Sequence, residues 1–242
     1  MSAGLSIFIT ADEGLEVDTQ GVDMLDEFAH GRQQRKLREV FGFGGDLISD
    51  RVVARAAAAA QSFTGPMFPP VGGGMARWMF SVAYLGEATV DLGYRRCDAD
   101  LVSKVRHDDR LVAIVPAAGN LHTGLSLSAT NGSYPKTKWP KGEKTAAAID
   151  VNQQLSLFGG ASRAKAEELE RKTKTFMLLV HATAREVRAE LSEPIGRDSR
   201  GYVNAWGDRY LFPPLQFESV DPDLPFDDGD FGPDFNIDID PR

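Results

Sequence analysis

The order of apolar and polar positions predicts helices first and strands afterwards. Apolar residues at helical spacing predict a first helix that ends at Phe41–Gly45, and the alanine-rich segment 51–61 predicts a second. A third helix is predicted from Ser162 to about residue 175. Strands are predicted where β-branched and aromatic residues cluster or alternate with polar ones, at residues 5–10, 78–85, 89–94, 111–115, 121–130, 176–181, 186–191, 202–206 and 209–212. This order favours an α+β fold with a mostly antiparallel sheet, in which 176–191 forms a hairpin.

Composition shifts divide the chain into four segments. Residues 1–130 form a predicted α+β lobe, and residues 162–216 form a helix-plus-hairpin lobe that can join it in one domain. Between them, 131–161 is rich in turn formers and charge, which predicts an exposed loop. Residues 217–242 form an acidic C-terminal tail.

A short apolar peptide lies in the predicted loop, at Gln154, Leu155, Ser156, Leu157 and Phe158. In an extended segment, Leu157 and Phe158 can both enter an apolar groove on a partner, with the aromatic ring as the main anchor. The spelling QLSLF resembles the peptide by which bacterial replication and repair proteins dock on the DNA sliding clamp. The resemblance implies that Gln154 orients the peptide while Leu157 and Phe158 fill the pocket. The alternative is a short buried strand with Leu155 and Leu157 on one face.

The same loop interleaves aromatic residues with lysines. Lysines neutralise phosphates and aromatic rings stack on unpaired bases, so this composition indicates a nucleic-acid-binding segment. The candidate residues are Tyr134, Lys136, Lys138, Trp139, Lys141 and Lys144. The basic helical segment 32–38 is a second candidate, and a merely solvated loop is the alternative.

The net charge of −8 lies in the C-terminal tail. Residues 217–242 hold nine acidic residues and one basic residue, whereas the other 216 residues are balanced. Prolines and apolar residues alternate with the acids, which predicts disorder. The peptide Asp223–Phe226 is similar to the tip of bacterial single-stranded-DNA-binding protein tails, which implies a protein partner. The candidate contacts are Leu224, Phe226, Phe231 and Phe235. Competition with nucleic acid for a basic surface, or simple solubilisation, are the alternatives.

Bulk properties narrow the class of protein. The chain is 42% hydrophobic and 26% charged, which is typical of a globular protein. No apolar run is long enough to span a bilayer, so no membrane partner is expected. The single cysteine excludes an internal disulfide, and no secretory signal precedes the first strand. These features predict a cytoplasmic protein.

No catalytic motif is apparent in the sequence, and we predict no metal and no cofactor. The one local cluster with candidate chemistry, His107, Asp108 and Asp109, is interpreted as a polar turn between strands. The leading hypothesis is a non-enzymatic DNA-metabolism accessory protein. It would dock on the bacterial sliding clamp and tether itself or a partner at replicating or repaired DNA, or compete with other clamp clients, with DNA and a tail-bound protein as further partners.

Two alternatives remain open from the sequence. One is a nucleic-acid-processing enzyme, whose metal-dependent activity would be lost on substitution of Asp108 or Asp109. The other is an interaction protein of a mobile element or defence system, with the QLSLF peptide in its core and a tail that mimics nucleic acid.

Overall fold

Seven strands form one mostly antiparallel sheet in the computed structural model, which describes residues 31–98, 102–157 and 172–217. The strands are β1 (Arg95–Cys97), β2 (Lys104–His107), β3 (Val112–Ala118), β4 (Lys174–Ala182), β5 (Glu186–Arg197), β6 (Val203–Leu211) and β7 (Leu215–Gln216). The first six follow in numerical order across the sheet, and β7 pairs with the start of β5. Neighbours are antiparallel except β3 and β4, which are parallel. The predicted α+β class is confirmed, and the sheet contains strands from both predicted lobes.

Helices cover both faces of this sheet. Helix α1 is described over 31–41. Helices α2 (Gly45–Ile48) and α3 (Arg55–Gln61) are joined without a break by a π-helical segment, Ser49–Ala54. Helix α4 (Gly72–Thr89) ends in a 3₁₀ turn, and α5 (Glu143–Leu157) lies on the connection between the two parallel strands. The helix predicted over 51–61 is confirmed, as are the strands predicted at 111–115, 176–181 and 186–191.

The central strand β4 faces two hydrophobic cores. Phe176, Leu178 and Val180 point into the larger core, which helices α1 to α4 close. Met177 and Leu179 point into the smaller core beneath α5. This alternation is the period of two that a strand imposes, and it explains why β4 is an almost uninterrupted apolar run.

Helix α5 is fixed to the sheet by a buried asparagine. Ala146, Ile149 and Asn152 recur at helical spacing and are all buried. The Nδ2 atom of Asn152 donates to the backbone oxygens of Thr175 (2.7 Å) and Pro194 (3.0 Å), while its Oδ1 accepts from the Thr175 N–H at 2.9 Å. Pro194 lies where the register between β5 and β6 shifts. The asparagine therefore satisfies backbone groups at an irregular part of the sheet.

The strand predicted at 78–85 is wrong, because the segment belongs to helix α4. Aromatic and β-branched residues at Trp78, Phe80, Val82 and Tyr84 recur with a period of two, which imitates a strand. Burial follows the helical period instead and includes Ser81, Val82, Leu85 and Ala88. The strand predicted at 89–94 is also wrong, since the end of α4 and the 3₁₀ turn occupy it.

Further predicted elements are corrected in the second half of the chain. Residues 121–130 form successive turns, held to the sheet where the Gly124 N–H and the Arg209 guanidinium both bond to Glu190. The predicted loop 131–161 contains α5, whose Thr145–Ile149 stretch includes three consecutive alanines. The two strands predicted at 202–206 and 209–212 are one, β6.

Some predictions lie outside the described residues. These are the strand at 5–10, most of the helix predicted from Ser162, and the tail from residue 218 onward.

Candidate nucleic-acid interface

A groove of about 1290 Å³ opens beside the ends of the two parallel strands. Its walls are the segment 63–71 and the first part of α4 on one side, and residues 138–145 on the other. The ends of β3 and β4 form its floor. Parallel strands end at the same edge of a sheet, and the chain that leaves β3 must cross over before it returns as β4. Crevices at such edges are common ligand sites in sheets with parallel strands.

Most of the charged residues that line the groove are cations. Arg77 comes from α4, and Lys138, Lys141 and Lys144 come from the opposite wall. Glu143 is the one carboxylate among the described lining residues. The local charge is therefore positive, as is that of the described residues taken together, which hold 23 basic and 15 acidic side chains.

Two polar side chains of α4 reach the groove without a hydrogen-bond partner. The Nε atom of Arg77 is buried and unpartnered among the described residues. One turn further on, Ser81 is 2% exposed and its Oγ atom also has no partner. Buried polar groups are normally paired, so two unpaired donors in this groove-lining stretch call for an acceptor that the described residues do not supply.

Burial also perturbs the cations themselves. It lowers the pKa of Arg77 and the pKa of Lys141, because a charged group is less stable away from water. A neighbouring carboxylate would have the opposite effect on each pKa, and none acts on either group among the described residues. Both side chains therefore carry a positive charge that the described protein leaves without a matching anion.

Two indole rings flank the cations. Trp78 and Trp139, on opposite walls, are 42% and 48% exposed. The Trp78 Nε1 atom donates to the Pro116 backbone oxygen at 3.2 Å, which orients this ring while leaving part of it accessible. Large exposed aromatic rings beside cations are the components of a base-stacking surface.

Backbone hydrogen bonds hold the lysine-bearing wall in place. The Thr137 N–H donates to Val203 O at 3.0 Å, the Lys138 N–H to Ala118 O at 2.8 Å, and the Lys141 N–H to Gly201 O at 2.9 Å. These bonds tie the wall to β3, to β6 and to the turn before β6. The segment predicted as a simple exposed loop is therefore attached to the sheet edge at three points.

The structure separates the six residues of the predicted lysine-aromatic segment. Lys138, Trp139, Lys141 and Lys144 line the groove, whereas Tyr134 and Lys136 do not. Tyr134 lies beside Arg209, and the distance from the Arg209 Cζ atom to the centroid of the Tyr134 ring is 5.9 Å. The exposed basic residues of α1 are also outside the groove. Trp78 and Ser81 were missed from the sequence because 78–85 was predicted as a strand, and Arg77, which directly precedes that segment, was given no role. A helical reading of 72–89 would have placed the i, i+4 pair Arg77 and Ser81 on one face.

The QLSLF peptide lies only partly within the described residues. Gln154 to Leu157 form the end of helix α5, so neither the extended loop nor the buried strand expected there is present. The Gln154 side chain is exposed and its Oε1 atom accepts from Lys172 Nζ at 3.2 Å. Phe158 lies outside the described residues, as do the tail residues Leu224, Phe226, Phe231 and Phe235.

The turn at 107–109 is occupied by ion pairs. The Asp108 carboxylate accepts from Arg95 Nε at 2.8 Å, and this bond lowers the pKa of the carboxyl group. Asp108 is also within 2.7 Å of Arg106 Nε, and the His107 Nδ1 atom accepts from the Arg110 N–H at 3.3 Å. The arrangement agrees with a polar turn between β2 and β3. Within the described ranges, no three His, Cys, Asp or Glu side chains form a group that could hold a metal ion.

Comparison with known protein families, with curated proteins and with solved structures gives no match. None of the described helices is both long and apolar enough to cross a membrane.

Proposed function

We propose that this protein is a DNA-metabolism accessory protein that binds single-stranded nucleic acid in the groove. The observation that carries the proposal is that the described residues lining the groove include four cations, one carboxylate and two partly exposed indoles. The cations would contact phosphates and the indoles would stack on bases.

The shape of the groove favours an unpaired strand. In a duplex the faces of the bases are covered by their neighbours, whereas a single strand can turn them toward Trp78 and Trp139. The volume of about 1290 Å³ exceeds the roughly 300–1,000 Å³ of most small-molecule pockets. An extended polymer is therefore a better match than a metabolite.

Matched substitutions in one segment test this proposal. Trp139→Ala removes an indole from the groove, while Tyr134→Ala removes an aromatic ring of similar exposure that does not line it. Loss of one stacked base costs about 1–3 kcal/mol, so Trp139→Ala should weaken oligonucleotide binding about 5- to 150-fold. Tyr134→Ala should change it less than about two-fold, within the range of most surface substitutions.

Fluorescence anisotropy with a labelled oligodeoxynucleotide gives both affinities, and quenching of tryptophan emission provides an independent signal. Failure of the wild-type protein to bind at low salt, or equal effects of the two substitutions, would contradict binding in the groove.

Docking on a bacterial sliding clamp is the second proposed activity, and it would place the protein in the cytoplasm. It is supported by the exposed Gln154 side chain at the end of α5. An extended peptide would require the last turn of the helix to unwind. Asn152 makes its bonds to the sheet before this turn, so the rest of α5 can stay in place. Docking would tether the protein or a partner at the clamp, or exclude other clamp clients.

Binding of the purified protein to a bacterial clamp tests this second activity. We expect micromolar or tighter binding that a Leu157→Ala/Phe158→Ala double variant loses. Gln153→Ala, just outside the peptide and on the same exposed helix end, should retain it. A wild-type protein that does not bind the clamp would remove the docking proposal and leave the groove proposal untouched.

A further inference from the structure

Three donors that line the groove have no anion as partner among the described residues. Arg77 and Lys141 are partly buried cations on opposite walls, and Ser81 presents a buried, unpartnered hydroxyl. An unpaired cation away from water is unfavourable, and an unpaired hydroxyl adds to this cost. A ligand that supplied several oxygen acceptors and about two negative charges would satisfy all three.

The start of helix α4 adds to this arrangement. Gly73 and Gly74 lie in its first turn and line the groove, and no side chain caps the helix at Val71. The helix dipole at this end adds a favourable field for an anion in the groove, although the Gly72 and Met75 N–H groups already donate to Pro69 O and Val71 O. A Cβ atom built on Gly74 would meet no other atom within 4 Å, so the backbone here is open to a ligand. Ser81 lies nine residues along the helix from Gly72, about 13.5 Å at 1.5 Å per residue, so Arg77, Ser81 and Lys141 define the candidate anion site and the helix end does not.

We propose that this part of the groove is a subsite for a phosphomonoester, the phosphorylated end of a single strand. The inference rests on the proposed function and specifies its ligand. A backbone phosphodiester carries one negative charge, whereas a phosphomonoester carries about −1.5 to −2 near pH 7 and has three terminal oxygens. The monoester therefore matches the two cations in charge and offers acceptors for the guanidinium fork, the ammonium group and the Ser81 hydroxyl.

The rest of the strand would continue from the subsite along the same groove. Lys138 and Lys144 would meet later phosphates, and Trp139 would stack on a base. The phosphate end can be 5′ or 3′, because both present the same group. Recognition of either end would distinguish a processed or broken strand from an internal stretch.

Three oligodeoxynucleotides of one sequence test the subsite: one with a 5′-phosphate, one with a 3′-phosphate and one with neither. We expect the wild-type protein to bind one phosphorylated form at least about ten-fold more tightly than the unphosphorylated form, since charge-assisted hydrogen bonds are the strong ones. Arg77→Gln should reduce this preference to less than about two-fold. Lys138→Gln should weaken binding of all three oligonucleotides alike and keep the preference.

A second variant tests the preference for a terminal phosphate if Arg77→Gln is poorly folded. Gly74→Glu places a carboxylate where the structure has open space, three residues before Arg77 and thus within reach of its guanidinium, and an acidic residue in the first turn of a helix favours the helix. It should abolish the preference for the phosphorylated end, with folding checked by thermal melting.

The possible failures are distinguishable. If all three oligonucleotides bind equally to the wild-type protein, the subsite is refuted and binding in the groove stands. If none of them binds, both the subsite and the proposed function are refuted.

Discussion

The salt dependence of nucleic-acid binding can be calculated from the charges that line the groove. Among the described residues that line it, four are cations and Glu143 is the one carboxylate, so three to four phosphates can be neutralised. For a single strand, the slope of log K against log salt is about −0.7 for each neutralised phosphate, so the expected slope lies between about −2.1 and −2.8. A rise from about 50 to 200 mM salt should then weaken binding about 20- to 50-fold.

Two lysine substitutions test whether this salt dependence arises from the cations that line the groove. Lys138→Gln removes a lining cation and should make the slope shallower by about 0.7. Lys136→Gln removes the same charge two residues earlier, from an exposed side chain outside the groove, and should leave the slope unchanged. Anisotropy titrations of an unphosphorylated oligonucleotide at several salt concentrations measure both slopes without a contribution from a terminal phosphate.

Two results would refute this reasoning. A wild-type slope near zero would mean that the groove cations do not contact phosphates. Equal slopes for the Lys136 and Lys138 variants would mean that the charge acts as a diffuse field over the whole segment and that the groove is not the binding site.

Three further predictions concern the framework around the groove. Asn152→Ala leaves three buried backbone groups without partners and should lower the free energy of unfolding by about 3–5 kcal/mol in urea denaturation, whereas the exposed Asp150→Ala should change it by less than about 0.5 kcal/mol. Arg209→Gln leaves the fully buried Glu190 carboxylate unpaired and should cost about 3–5 kcal/mol in the same assay. Because burial lowers the pKa of Lys141, oligonucleotide affinity should fall as pH rises, before exposed lysines titrate near about 10.4, and Lys141→Arg should keep its affinity over that range.

Local signals predicted the elements whose periodicity is unambiguous. Strand β4 is an apolar run buried on both sides, and the alanines of α3 favour a helix whatever surrounds them. Helix α4 was mistaken for a strand because its exposed and half-buried aromatic rings happen to alternate. The positions that decide its packing, including Ala76, Ser81 and Ala88, are small and add little to a hydrophobic pattern.

The candidate site was predictable only where its residues are adjacent in sequence. Lys138, Trp139 and Lys141 stand close together, so composition alone marked them. Arg77 and Ser81 belong to the site because parallel pairing of β3 with β4 brings the intervening segment opposite α4. That juxtaposition depends on contacts between distant parts of the chain, and no local pattern reports it.

Helix α5 connects the two proposed activities. Its first residues, Glu143 and Lys144, line the groove, and its last turn contains the start of the QLSLF peptide. A helix of 15 residues is about 22 Å long. Since Ile149 and Asn152 fix the helix to the sheet, a docked clamp and a bound strand would lie on separate parts of the surface and need not compete.

Simultaneous binding should therefore raise the affinity for a single strand on clamp-loaded DNA through effective concentration. The Leu157→Ala/Phe158→Ala variant should lose this gain while binding free single strands as the wild-type protein does. If the clamp instead displaced the strand, the two sites would have to overlap, and the separation along α5 would not describe the clamp-bound state.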